Sequence, residues 1–198
     1  MADDQRQLSL FGASARPPGL DDLEGLLAGN GQLARRADAA RISVVVADGW
    51  RAAVLEGELA AAFGMTAQRT STELGVAIAT PWLPGLRPLA DAWARGAVKH
   101  PPAGWLLDGP RLRWWCLAAG RSAPGMYTLA LGASDEHAWL SVGSALAVAG
   151  VPGVLVGPRA DGPAYRIVGR RRLARLLELV GDRPAGVPDD AWPVVHDQ

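Results

Sequence analysis

The chain has 198 residues, 20 basic and 20 acidic, with 49 % hydrophobic residues and no formal net charge. That is long enough to bury a core in one or two small domains, and its apolar content excludes wholesale disorder. No run approaches the ~20 apolar residues of a membrane span, and no charged-then-apolar leader opens the chain. A single Cys116 excludes an internal disulfide and suits a reducing compartment, by default the cytoplasm. Neutrality argues against a strong non-specific polyanion binder but leaves room for a local patch. The segment 159–183 carries seven arginines against Asp161, Glu178 and Asp182.

Residues 1–19 read as a disordered tail: polar and acidic, then Ala/Ser, then Pro17-Pro18-Gly19. Leu8, Leu10 and Phe11 stand isolated in it, a cost unless a partner surface or the body receives them. The first half spans 20–98. Leu20, Leu23 and Leu27 share a helical face, with Asp21, Asp22 and Glu24 suited to the first turn. Gly25 and Gly29, four apart, allow a close backbone approach on that side. The β-branched run 42–47 predicts a buried strand, Asp48-Gly49 a turn, and 51–63 a helix striped by Leu55, Leu59, Ala62 and Phe63 and closed by Gly64. Segments 66–72 and 74–79 predict paired strands. Leu86, Leu89, Ala90 and Trp93 mark a further helix.

A Pro/Gly-rich linker, 99–109, leads to the second half, 110–181. There the same order recurs: an apolar helix ending in Ala118-Ala119-Gly120, a strand over 126–131, and a helix over 135–149 capped by Ser134. Short strands follow at 154–156 and 165–168, then a helix over 170–180 with Leu173, Leu176, Leu177 and Val180 at i, i+3, i+4, i+7. The tail 182–198 is extended, and Trp192 is placed to pin it to the body. Gly31 and Gly120 lie 89 residues apart, Gly64 and Gly150 86, and Leu86 and Leu173 87. The chain is a duplication. The expected class is α+β, two pseudo-twofold halves in one monomer, each running helix, strand, helix, two strands, helix.

Catalytic signatures are weak. His100, His137 and His196 have no metal-ligand spacing and suit surface or helix-end positions. Cys116 has no local activating partner and reads as core. The glycine-rich run 150–157 lacks the lysine and spacing of a phosphate-binding loop. Most of the eight tryptophans fall on apolar faces or beside prolines, with Trp114-Trp115 the least typical core pair.

Gln7-Leu8-Ser9-Leu10-Phe11 resembles the motif by which bacterial proteins bind the DNA polymerase sliding clamp, Gln-Leu-Ser/Asp-Leu-Phe, at all five positions. The resemblance implies that Leu10 and Phe11 fill an apolar cleft, Leu8 sits at its rim and Gln7 supplies a directional hydrogen bond. The segment from Leu23 to Gly31, LEGLLAGNG, resembles the nine-residue LAGLIDADG signature of a homing-endonuclease family. Leu23, Gly25, Leu26 and Gly31 are identical and Leu27 is a close substitution. The second half is similar to the endonuclease-like N-terminal domain of the WhiA regulators, with Leu117-Ala118-Ala119-Gly120 at its helix end.

The resemblance implies two signature helices packed at a pseudo-twofold axis and a saddle of two sheets over DNA. Trp114 falls where that interface wants a glycine, so either the helices are shifted or Trp114 points away into a half-domain core. In the family, the acidic residue before each final glycine holds a divalent metal. Here those positions are Asn30 and Ala119, which implies no nuclease activity and no cofactor. Gln68, Arg69, Ser71, Arg159 and Arg166 suit DNA-facing strand positions; Ser43, Val45, Thr128 and Ala130 do not. Arg170, Arg171 and Arg172, at a helix start where cations oppose the dipole, suit a phosphate partner, an acidic protein surface or plain solvation. The expected function is that of a clamp-tethered accessory protein of bacterial replication or repair, whose body binds duplex DNA or a repair protein. The alternatives are a WhiA-like transcription regulator and a lesion-bypass factor acting through protein partners.

Overall fold

A computed structural model describes residues 12, 13, 16–96, 98–158 and 162–195. In β2 (Ala39–Val46), Ala40, Ile42, Val44 and Val46 are buried, whereas Arg41, Ser43 and Val45 are half-buried. Because strand side chains alternate, the first set faces the helices and the second an open side. β8 (Met126–Ala130) repeats the pattern, burying Tyr127 and Leu129 and leaving Met126, Thr128 and Ala130 on the open side.

The described elements start with a 3-10 turn (Leu20–Leu23), α1 (Glu24–Ala28) and β1 (Gln32–Arg36), and continue through β2 to α2 (Gly49–Phe63). β3 (Gln68–Thr72), β4 (Gly75–Ala79) and α3 (Arg87–Trp93) complete the first half. A two-stranded ribbon, β5 (Ala94–Arg95) and β6 (Val98–Lys99), precedes α4 (Gly109–Ala119). β7 (Gly120–Ala123), β8, α5 (Glu136–Val148), β9 (Val154–Val156), β10 (Ala164–Val168) and α6 (Arg170–Val180) form the second half. The two antiparallel sheets have equivalent orders, β1-β2-β4-β3 and β7-β8-β10-β9. The duplicated α+β plan is therefore present, with one correction: two strands, not one, follow each signature helix. β1 (QLARR) and β7 (GRSA) are edge strands with little β-branched or apolar content. Pairing with β2 and β8 holds them extended, and a single-sequence pattern does not contain that information.

Two further expectations need revision. Asp135, not Ser134, occupies the N-cap of α5, and its side chain makes no cap hydrogen bond because it pairs with the Lys99 ammonium at 2.8 Å. Trp114 is buried, while Gly25 faces the Arg111 backbone. The Trp114 side chain crosses to the other half, where its ring stacks on Phe63 of α2 at 6.0 Å between centroids. Trp192 is buried as expected, and its indole donates to the Gly181 carbonyl at 3.1 Å.

The seam is the contact of α1 with α4. A Cβ on Gly25 would overlap the Arg111 backbone, so only glycine lets the helices approach this closely. Leu23, Leu26, Leu27, Leu112, Trp115 and Leu117 bury themselves around that point, each worth about 1.5–3 kcal/mol before ordering costs. At the helix starts, the buried Glu24 carboxylate accepts from Trp93 Nε1 (3.0 Å), Trp105 Nε1 (2.8 Å) and Arg111 Nε (2.7 Å). Arg111 also reaches Asp108, the N-cap of its own helix, at 3.0 Å. The donors on Glu24 come from α3, the loop before α4, and α4, and satisfy a buried charge that would otherwise be costly.

Gly25→Val forces the two backbones apart and is expected to destabilise the fold by more than about 2 kcal/mol, read as the midpoint of urea unfolding. Leu74→Val, at an exposed hairpin tip, is expected to leave that midpoint in place. Equal midpoints for Gly25→Val and the parent would contradict the close-approach account.

Candidate nucleic-acid interface

The strand register decides which side chains share the open face. In the first sheet Ser43 pairs with Gln32 and Ala79, Arg41 with Ala34, and Thr70 with Ala77. Arg41, Arg36 and Gln68 thus lie on the open side with Ser43, Val45 and Thr70. In the second sheet Thr128 pairs with Arg121 and Arg166, placing both guanidinium groups beside Met126 and Ala130. Every charged strand residue on the open face is an arginine: Arg36, Arg41, Arg121 and Arg166. None of the strands in either sheet contains an aspartate or glutamate.

Between the sheets lies a cavity of about 700 Å³ whose wall includes Arg51, Arg121 and Arg166 against the single acid Asp48. Its floor is short and weakly polar: Asn30, Val45, Ala119, Thr128 and Ala130. At the far edge of the first sheet, Trp82 lies between Arg36 and Arg41, whose guanidinium carbons sit 4.7 and 5.0 Å from the ring. Stacking on the indole holds both cations over the sheet face.

The expected interface residues separate between the two faces of the sheets. Gln68 and Arg166 are on the open face. Arg69 and Ser71 are not: they pair with Ile78 and Val76 on the helix side, and Arg69 meets Glu56 of α2 at 3.3 Å. Since the side-chain period is two, a one-residue difference reverses the face. Ser43, Val45, Thr128 and Ala130, set aside for being small or apolar, form its centre. Arg170, Arg171 and Arg172 are exposed and line a separate hollow with Gly150, Val168 and Arg175. Arg36, Arg41 and Arg121 were missed; strand alternation anchored on the buried Ile42 and Tyr127 would have found Arg41, and β1 and β7 had to be recognised for the other two. Arg159 and residues Gln7, Leu8, Ser9, Leu10 and Phe11 lie outside the described residues.

The signature positions meet at the cavity. Asn30 donates through Nδ2 to the Val45 carbonyl at 2.9 Å, and Ala119 presents a methyl group. Beside each stands a buried cation. Lys99 Nζ donates to the carbonyls of Gly29 (2.9 Å) and Gly31 (2.8 Å), which flank Asn30. Arg51 Nη1 donates to the Leu117 carbonyl at 2.8 Å and Nη2 to that of Gly120, flanking Ala119. Burial pushes both cations below their ordinary pKa values, with Asp135 and Asp48 opposing the shift. A hard divalent ion takes oxygen ligands, above all carboxylates. Asn30 Oδ1 is buried without a hydrogen-bond partner, but one neutral amide oxygen and a methyl supply no carboxylate for such an ion. Among the described residues no cluster of three His, Cys, Asp or Glu side chains could hold a metal. His100 and His137 do come together, with rings 6.2 Å apart, but each nitrogen contact is to a backbone carbonyl.

No family model matches the chain, and no curated protein matches it. Among solved structures it is similar to the homing endonuclease I-WcaI bound to its DNA recognition sequence, at 12 % identity and a TM-score of 0.57. The match covers 80 % of this chain and 78 % of that one. The likeness is one of fold: the duplicated halves form a homing-endonuclease-like scaffold. No helix among the described residues is long and apolar enough to cross a membrane.

The one thiol is withdrawn from chemistry. Cys116 is fully buried in α4, and burial pushes it up to about 12, so the nucleophilic thiolate is absent near neutrality. Native protein at pH 8 is expected to resist a thiol-exchange reagent and to react stoichiometrically once unfolded in urea. Rapid modification of the native chain would contradict this placement.

Proposed function

We propose that this chain is a non-catalytic accessory protein of bacterial DNA replication or repair. It holds duplex DNA across the open face of its two sheets and is tethered to the polymerase sliding clamp by Gln7, Leu8, Ser9, Leu10 and Phe11. The observation that carries the DNA reading is the sorting of charge on a scaffold of neutral net charge. Four arginines stand on the open face and no acid stands in the strands that form it. Such a face attracts phosphate and releases counterions on binding. The short central side chains offer few groups able to reach base edges, which favours backbone contact over sequence readout. A replication-fork or nucleoid location follows from this reading.

Two features support the absence of cleavage: Asn30 and Ala119 replace the carboxylates that would hold metal, and bound cations stand beside both. The tether is supported by the match of the five-residue motif. Ala13 N–H donates to the Leu179 carbonyl at the end of α6, just after the motif.

Two measurements test the reading. Fluorescence anisotropy of a peptide spanning residues 4–13 against a bacterial clamp is expected to give micromolar binding. Replacing Leu10 and Phe11 by alanine should weaken it at least tenfold, as loss of two buried side chains at about 1.5–3 kcal/mol each requires; unchanged affinity would exclude the tether. For the body, duplex binding across salt should lose about 0.9 in log–log slope per phosphate contact removed. Arg121→Ala with Arg166→Ala should therefore flatten the slope by about two units, while Arg69→Ala, on the helix side, leaves it unchanged. A slope near zero in the parent would exclude DNA as the partner of this face. Incubation with plasmid and magnesium is expected to produce no cleavage.

A further inference from the structure

The two buried cations at the seam obey the molecule's pseudo-symmetry, although neither their residue types nor their sequence positions correspond. Arg51 lies in α2 of the first half and closes the end of α4 in the second. Lys99 lies in β6 between the halves and closes the end of α1 in the first. Each cation also pairs with the N-cap aspartate of a helix: Arg51 with Asp48 of α2 at 3.2 Å, Lys99 with Asp135 of α5 at 2.8 Å. Both signature helices are therefore finished alike, with carbonyls at or just past the helix end gathered by a cation that an N-cap carboxylate holds in place.

The physical requirement is plain. The last carbonyls of a helix have no partner within it, and the helix dipole makes that end negative. Here two such ends converge beside a cavity on the face presented to the open side. In a scaffold with acidic signature residues, a divalent ion could neutralise this place; without those acids, the carbonyls still need a positive charge.

We infer that Arg51 and Lys99 are tethered cations that take over the charge-neutralising place of divalent ions at the ends of α4 and α1, so that the seam and the open face operate without metal. This deepens the DNA-holding reading by making the grip on DNA metal-independent, and it also stands as a claim about the free protein. The two ends are served by different residues: a lysine from the ribbon between the halves, and an arginine reaching across from the first half.

The test uses the full-length chain without DNA. Calorimetric titration with manganese is expected to yield no saturable binding, and the thermal midpoint should be the same in EDTA and in millimolar magnesium. Lys99→Met and Arg51→Met should each lower the midpoint by several degrees, with neither restored by manganese, while Arg51→Lys retains part of what Arg51→Met loses. Saturable manganese binding by the parent that disappears in Asn30→Ala, or a midpoint raised by magnesium, would overturn the inference even if the methionine variants fail to fold. Duplex affinity equal in EDTA and magnesium is the matching result for the complex, and a requirement for magnesium would count against it. If the chain binds no duplex at all, the DNA reading fails while the metal titration still decides this one.

Discussion

Close contact between α1 and α4 is the constraint on which the rest of the molecule depends. It exists because Gly25 has no side chain where the Arg111 backbone passes. Once the backbones meet, Glu24 comes within reach of Trp93, Trp105 and Arg111, and the buried leucines of both helices close around the contact. The same approach brings the two helix ends together beneath the sheets. A fold assembled this way must resolve a concentration of helix-end carbonyls at its centre, and Arg51 and Lys99 do so.

The organisation of charge follows from that geometry. A chain with no net charge acquires a cationic face because the strands carry no acid and four of their arginines stand on the open side. Asp91 meets Arg87 and Arg35, and Glu56 meets Arg69, all away from the open face. Arg36, Arg41, Arg121 and Arg166 remain on the open side. Composition alone could not reveal this, because neutrality is a sum and an interface depends on distribution. The cavity between the sheets, with three arginines and one aspartate in its wall, is the clearest expression of the sorting.

The strands show where sequence reading ran out. Buried strands such as β2 announce themselves by β-branched content, and α6 by its leucine spacing; both were legible. β1 and β7 were not, since an edge strand draws much of its stability from the partner it pairs with. Arg69 was assigned to the wrong face because alternation has to be anchored to a known core residue, and its neighbours Gln68, Thr70 and Ser71 offer none. Arg170, Arg171 and Arg172 were legible as a basic run, but their hollow is separate from the cavity between the sheets. Lys99 looked like the first residue of a proline-rich linker, yet it is a buried lysine at the centre of the molecule.

By itself the sequence determined the duplicated order of elements, the two seam helices, the neutral residues Asn30 and Ala119 at their ends, and the five-residue run from Gln7 to Phe11. These are local or periodic features, and local chemistry is what a linear pattern records. The tertiary structure decided the rest: Trp114 crosses to Phe63, Asp135 answers Lys99 instead of capping its own helix, and the arginines of four strands share one face. Each of these joins residues far apart in the chain, and their distances are set by strand register and by the depth to which two helices can approach.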